Sequence, residues 1–510
     1  MNIQPFLGGA RVKEDLQFQF CILGNFTGQH EERPSYELKA VNRNTWDSLF
    51  TDLKPSVRTV ISLPAVSDFE VELVFTGLQG FSEKGVVSAV PFLSDLQAAI
   101  QAFGAASEEQ PLDVNALLSN HSPLNVVKTM AMKTSQGPAL DLLNMVDIGD
   151  EEDDGPQLPQ LKAAFSEGTY QGHKRQAVVH ELEGLKAEVL RQIQKDARFD
   201  ELHAHWRGLK SVFGSLGKNV KLSLIDCDKD ELCDAFFLTF VKPDSGDAAR
   251  LDLAATSFEF TKMESDLHTL YHLGRMAESV SVPVLLNASP ALFGVRSFQH
   301  MQHMHDFSSR LSGPDYAKWR KQRDETGSRW LFLCVNKFSQ DDGAVWAPGS
   351  FAMLSVMAQA LAAHQWPGEL LAAAGHWQET AQSQLVLTRD QAHDLSYEGF
   401  CSISSESAQS ELAIMGMNCL AAIKIGPGQS PAARDFVEYT LSYAFFVGCL
   451  SRFLVDHAND SELESKLRDF MGSNNPDDLK VEEDEGMRIF RAKPMFSIYG
   501  SRPDVVLAIQ

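Results

Sequence analysis

No two cysteines in this 510-residue chain stand at metal-binding or redox spacing. The seven are scattered, none forms a CxxC, and the nearest two, Cys227 and Cys233, have no histidine partner at zinc-finger distance. An odd, scattered set excludes a disulfide framework and predicts a reduced, cytoplasmic protein. Positive charge is short as well. Forty-five Lys and Arg face 68 Asp and Glu, for a net charge of −23. Phosphate affinity comes from Lys and Arg, so no nucleic-acid partner is expected. Long apolar runs are also missing. Residues 1–15 carry scattered charges and no apolar signal-peptide core. The longest apolar run, Leu441 to Val455, contains Arg452 and is too short to cross about 30 Å of hydrocarbon. It predicts a buried helix, and no membrane insertion is expected.

What the chain has is apolar material, 44% of residues, enough for two or more domains. The stretch "DIGDEEDDGP" (147–156) packs six carboxylates before Gly and Pro. Like charges this dense keep a backbone solvated, which predicts a linker. The expected division is a domain at 1–145, an acidic linker at 146–160 and a larger domain at 161–510.

Local patterns fill in the two parts. In the first, residues 17–27 read as a strand entering a turn. Residues 43–53 read as a helix capped by Asn44, 57–63 and 68–75 as strands, and 85–103 as one helix. This module is α+β. In the second, 161–216 is helix-rich. Strands are predicted at 220–225, 251–260, 282–286 and 330–335, and helices at 229–240, 266–280, 350–364 and 436–457. Strands alternating with helices predict an α/β core with at least one parallel sheet.

Candidate chemistry is thin. "FQFCILGNFTGQ" (18–29) runs from an apolar strand into a glycine turn, as a phosphate loop does. Yet Gly24 and Gly28 are one position too close for a Walker loop, and Gln29 and His30 replace its Lys and Ser. A strand-ending turn is expected instead. His300, His303 and His305 lack an HExxH pattern, and the interleaved Met301 and Met304 predict a partly buried helix. Ser289 follows a short strand, but Pro290 comes next, which removes an N–H that an oxyanion hole might use. Ser289 as cap and Pro290 as first helical residue account for the same letters. In "FDELHAHWRGL", Phe199, Leu202, Trp206 and Leu209 share one helical face, a core stripe. No catalytic, cofactor or metal residues are expected.

Several blocks together resemble the large sheath subunit of the bacterial type VI secretion system (TssC, or VipB). "FDELHAHWRGL" carries its motif through Phe199, Leu202, Trp206, Arg207, Gly208 and Leu209. "DKDELCDAF" (228–236) is similar to the segment that follows. "VPVLLNASPALFG" (282–294) matches through Ala288, Ser289, Pro290, Phe293 and Gly294. "YAKWRKQRDETGSRWLFL" (316–333) matches through Trp319, Arg320, Arg323, Ser328 and Arg329. "HQWPGEL" (364–370) matches through Trp366 and Pro367. The first module resembles the small subunit (TssB, or VipA). Its opening turn carries Gly24, Phe26 and Gly28, and "AVNRNTWDSLFTDLKPSV" matches through Val41, Arg43, Asn44, Trp46, Asp47 and Pro55. The chain departs at "NKFSQDDGAVWAPG" (336–349), where the family has a Leu-Pro-rich segment, and follows it only loosely beyond 461.

The resemblance implies a structural subunit that polymerises helically around an inner, Hcp-like tube and drives its ejection by contraction. It implies partners in copies of itself, baseplate components and a ClpV-like disassembly ATPase, and no enzyme activity. The implied place is the bacterial cytoplasm, tethered to the envelope through a baseplate. Terminal strands would join neighbouring subunits by sheet augmentation. Candidates are Phe6 to Phe20, a hairpin of Met487 to Ala492 with Met495 to Tyr499, and Val505 to Ala508; an ordinary local sheet accounts for the same runs. Two other readings stay open: a sheath-derived adaptor or cap at a baseplate that never polymerises, and an α/β enzyme with an unrecognised site.

Overall fold

The computed structural model describes residues 16–30, 35–63, 68–105, 112–114, 159–170, 175–243, 248–341, 343–367, 376–405, 411–424, 432–458, 460, 462–472, 479–484 and 487–509. Of the expected linker only 159–160 are described, and they begin a helix.

The chain opens with β1 (Phe18–Gly24), almost wholly buried, and β2 (Lys39–Val41). Helix Trp46–Leu53 precedes β3 (Ser56–Ile61) and β4 (Phe69–Val74). Helices Glu83–Ala89 and Pro91–Ala105 lead to β5 (Leu112–Asp113), and helix Pro159–Glu167 precedes β6 (Thr169–Tyr170). Helices Arg175–Lys195 and Ala197–Gly214 precede β7 (Val220–Asp226) and β8 (Leu253–Phe260). Helix Glu264–Val280 leads to β9 (Val284–Ala288), β10 (Leu331–Val335), β11 (Lys337–Ser339) and β12 (Ala347–Pro348). After helix Gly349–His364 come β13 (His376–Thr380), β14 (Gln382–Ser383), β15 (Phe400–Ser405) and β16 (Glu411–Met417). Helices Leu441–Asp456 and Leu463–Met471 precede β17 (Lys480–Asp484), β18 (Met487–Ala492) and β19 (Val505–Ile509).

Two compact units result, and they cut across the expected division. One takes residues from 1–26, 30–49 and 204–510, the other 27–29 and 50–203. The larger unit is built on a nine-stranded sheet in the order β13-β16-β15-β10-β9-β8-β1-β7-β2. The six strands from β15 to β7 are parallel, and β13, β16 and β2 join antiparallel. β9 and β10 are buried at every residue, as strands covered on both faces must be. Helices Gly349–His364 and Glu264–Val280 pack on this sheet.

The decisive feature is β1. It pairs with β7 from Phe18↔Val220 to Gly24↔Asp226 and with β8 from Phe20↔Leu253 to Leu23↔Thr256. A strand from the first module thus lies inside the sheet of the second. The tail of the candidate linking segment, Phe18 to Phe20, is therefore sheet interior with no free edge. Residues 6–15 of that segment lie outside the described residues.

The smaller unit pairs β3 with β4 antiparallel. Val57, Thr59, Ile61, Val71 and Leu73 turn inward, while Arg58 and Glu72 form an ion pair at 3.1 Å on the outer face. Helix Pro91–Ala105 lies along Arg175–Lys195, whose Val178, Leu182, Leu185, Val189 and Ile193 form one buried stripe. The expected single helix at 85–103 is two helices that meet at a 105° bend. Val90 is extended because the residue before a proline is driven out of the helical region. The helix at 46–53 is entered from Asn42, not Asn44: Asn42 Oδ1 accepts from the Asn44 and Thr45 amides at 2.9 and 3.2 Å. The predicted helix at 229–240 is α-helical only at Leu232–Phe236 and continues as one π turn, Phe237–Val241.

Candidate assembly site

The turn after β1 is fixed from three sides. The Phe26 N–H donates to Asp226 Oδ1 at 2.7 Å, and Asn25 Nδ2 donates to Asp228 Oδ1 at 2.7 Å. On helix Ala197–Gly214, Trp206 Nε1 donates to the Phe26 carbonyl at 3.0 Å, and a ring nitrogen of His205 lies 2.9 Å from the Asn25 carbonyl. The Phe26 and Trp206 rings meet edge to face, 5.7 Å apart. An incoming anion would meet two carboxylates here. The turn joins sheet to helix, and it does so through the motifs that resemble the small and the large subunit. Gly28 has φ +72°, and a Cβ there would stand 2.4 Å from the Ser56 carbonyl, so only glycine fits.

The other family-matched residues are spread through the larger unit as braces. Arg207 pairs with Asp341 at 2.7 Å, and a Cβ on Gly208 would strike the Phe351 ring at 2.1 Å. Ser289 Oγ accepts from the Ala291 amide at 3.4 Å as the cap of a short turn with Pro290 first, Phe293 buried and Gly294 as its left-handed end. Trp319 stacks on Phe400 at 6.0 Å. Arg320 donates to the Leu311 and Gly313 carbonyls at the end of helix Phe307–Leu311. Arg323, side chain 9% exposed, pairs with Glu398 and also donates to the Leu420 carbonyl at 3.2 Å. Ser328 Oγ donates to the Gln322 carbonyl at 2.6 Å, and Arg329 lies over the Tyr439 ring. Trp366 Nε1 donates to the Phe470 carbonyl at 2.9 Å, with Pro367 buried beside it. These residues do not converge on one pocket.

His300 to His305 do not form the expected regular helix. Phe298–Met301 is a 3-10 turn, with His300 Nδ1 2.7 Å from Ser297 Oγ. Among the described residues no three His, Cys, Asp or Glu side chains are placed to hold a metal together. Six of the seven cysteines are buried. Burial pushes the Cys419 and Cys449 thiols up to about 12, and that of half-buried Cys233 to about 11.

One functional group escaped the sequence reading. Asp252, fully buried, accepts from the Gln19 amide at 2.6 Å and from Arg452 Nη2 at 2.6 Å, while its own N–H donates to the Gln19 carbonyl at 2.8 Å. It bolts β1 to the strand beside it and to helix Leu441–Asp456. The signal was present: a lone arginine inside an apolar run needs a buried acid.

At the C-terminus, β17, β18 and β19 form an antiparallel sheet with β18 in the middle. Tyr443 Oη donates to the Asp504 carbonyl at 3.4 Å, and Phe496 packs on Phe446 and Trp366. The expected strand Met495 to Tyr499 alternates in burial but forms no ladder, apart from one bridge between Ile498 and Ser501. The partners of β18 are β17 and β19 instead. Among the described residues β17 and β19 each keep one unpaired edge, and Val506 and Met495 stay half exposed. Where the family has its Leu-Pro-rich segment, β11 pairs with β12 and β14 in a small sheet.

Two stretches of the chain match known family models. The family described as "Type VI secretion system, VipA" matches residues 1–109, and VipB, the EvpB-type "tail sheath N-terminal domain", matches 253–341. Two separate stretches of this chain thus match the small-subunit and large-subunit sheath models. The type VI secretion system sheath protein TssC1 of Pseudomonas aeruginosa is 22% identical over 163 residues, 29% of this chain. The chain spans about a third of the length of that relative, 33%. Two solved structures are similar at a distance. The PVC extracellular contractile injection system sheath, in its contracted state, has a TM-score of 0.34 at 10% identity, covering 61% of this chain and 77% of that one. The anti-feeding prophage sheath, also contracted, has 0.28 at 13%, covering 59% and 76%.

Proposed function

We propose that this chain is a structural subunit of a contractile, type VI-like sheath, with small and large subunits fused. The observation that supports this most is β1, which makes both sheath sequences parts of one α/β sheet. A fused chain supplies the two in equal number and raises their effective concentration by tethering. Many copies stack helically through heterologous contacts that do not close. The unpaired edges of β17 and β19 offer main-chain pairing to neighbouring copies. Such ladders resist pulling while the globular parts turn. No bond in a substrate is made or broken; the stored energy is that of the extended lattice.

In this reading the partners are copies of the chain, an Hcp-like inner tube and baseplate components, with a ClpV-like ATPase for recycling. The assembly works in the bacterial cytoplasm, held to the envelope by its baseplate. No single helix among the described residues is long and apolar enough to cross a membrane.

Sedimentation and negative-stain microscopy of the full chain, alone and with its tube protein, test the proposal. Tubes or stacked rings are expected. Deleting residues 1–16 should abolish them while leaving the thermal transition of the unassembled protein in place. Small closed oligomers that survive the deletion would refute polymerisation and favour the adaptor.

A further inference from the structure

Helix Glu264–Val280 carries a feature that the sheath reading does not use. His268 and His272 lie one turn apart on its exposed face. Their Nε2 atoms are 3.0 Å apart, and the ring centroids 4.3 Å. A hydrogen bond between them needs one Nε2 to carry a proton and the other to accept it. The two nitrogens lie close enough for one cation to take the place of that shared proton. The same side chains line an open groove of about 630 Å³ with Asp230, Cys233 and Asp234. Asp230 and Asp234 contribute negative charge to the groove, partly offset by Arg275 on the same lining.

We propose that His268 and His272 form a site for a first-row divalent cation with nitrogen preference, Cu²⁺ or Ni²⁺. Metal–nitrogen bonds of about 2.05 Å to atoms 3.0 Å apart subtend about 94° at the metal. That is the angle between adjacent ligands of a square-planar or octahedral ion. A tetrahedral ion needs about 109° and nitrogens about 3.35 Å apart, so Zn²⁺ is the poorer fit. With two protein ligands, water completes the shell. On binding, the ring that held its proton on Nε2 carries it on Nδ1, and no redox step is involved. The cation staples one helical turn beside a groove that also exposes Phe237.

The test is titration of the untagged full chain with Cu²⁺ and Ni²⁺, followed by calorimetry and by the visible ligand-field absorption of the bound ion. One site is expected, tighter for Cu²⁺ than for Ni²⁺ and for Ni²⁺ than for Zn²⁺, and silent to Mg²⁺. His268→Ala and His272→Gln should each weaken it more than about tenfold, because losing a ligand exceeds the 10–100-fold cost of disturbing the residues behind one. His300→Ala, in the other histidine cluster, should leave it unchanged. Unaltered binding in the 268 and 272 variants, loss in the 300 variant, or no saturable binding by the parent chain would each overturn the assignment.

Discussion

Replacing Asp252 by Asn probes the bolt that holds β1. Asparagine keeps the volume and an acceptor for the Gln19 amide, so little packing changes. What disappears is the charge facing Arg452 at 2.6 Å, and the new Nδ2 donor faces a guanidinium that also donates. Breaking one partner of a buried ion pair costs about 3–5 kcal/mol. The Asp252 side chain is 0% exposed and that of Arg452 18%, so water can partly rescue the arginine. The low end, about 3 kcal/mol, is therefore expected. Arg452→Met alone strands the carboxylate, whose remaining cationic neighbour, Arg250, is 3.7 Å away. The double variant removes both charges and should be less destabilised than the sum of the singles, with a coupling of at least about 1.5 kcal/mol. Urea unfolding followed by tryptophan fluorescence gives the four stabilities. Amide hydrogen exchange across 18–24 shows whether the loss is local to β1. A cost below about 1 kcal/mol in Asp252→Asn, or strict additivity in the cycle, would refute the bolt.

Other consequences follow from the same packing. Glu188 accepts from Arg191 at 2.6 and 2.7 Å, which holds its carboxyl below the ordinary 4.5. A depressed folded value means stability that is present above pH 4.5 and lost as pH falls through the folded value. The acid limb of a stability–pH curve should therefore be shallower in Glu188→Gln than in the parent. Gly28→Ala, forced into left-handed backbone against the Ser56 carbonyl, should cost more than about 1 kcal/mol in the same urea assay. A thiol reagent at pH 8 should label Cys233 slowly and the six buried cysteines only on denaturation. Rapid labelling of several would contradict the core as drawn.

Most elements were legible because their patterns were unambiguous. β9 and β10 are short apolar runs bounded by turns, and the helical stripe of Phe199, Leu202, Trp206 and Leu209 has a clear period. The Ser289–Pro290 cap was readable from residue chemistry alone. What failed was non-local. Nothing inside Phe18–Gly24 states that its neighbours lie some 200 residues further on, so the first thirty residues looked like part of a separate domain. The break at Val90 turned on a proline in a good helical pattern. Met495 to Tyr499 has the period of a strand, but a ladder also needs a partner, and Pro494 removes one N–H just before it. The family-matched residues were found by resemblance, and their work as caps, stacked rings and buried pairs became visible only in three dimensions.

On the proposed function, this chain acts by joining copies of itself. Cryo-electron microscopy of assemblies grown from the purified 510-residue chain is the sharpest test. A helical tube is expected whose repeating unit is one chain, with β-strands from adjacent copies hydrogen-bonded at the β17 or β19 edge. Assemblies in which both edges stay unpaired, or a protein that remains monomeric under all assembly conditions, would contradict it.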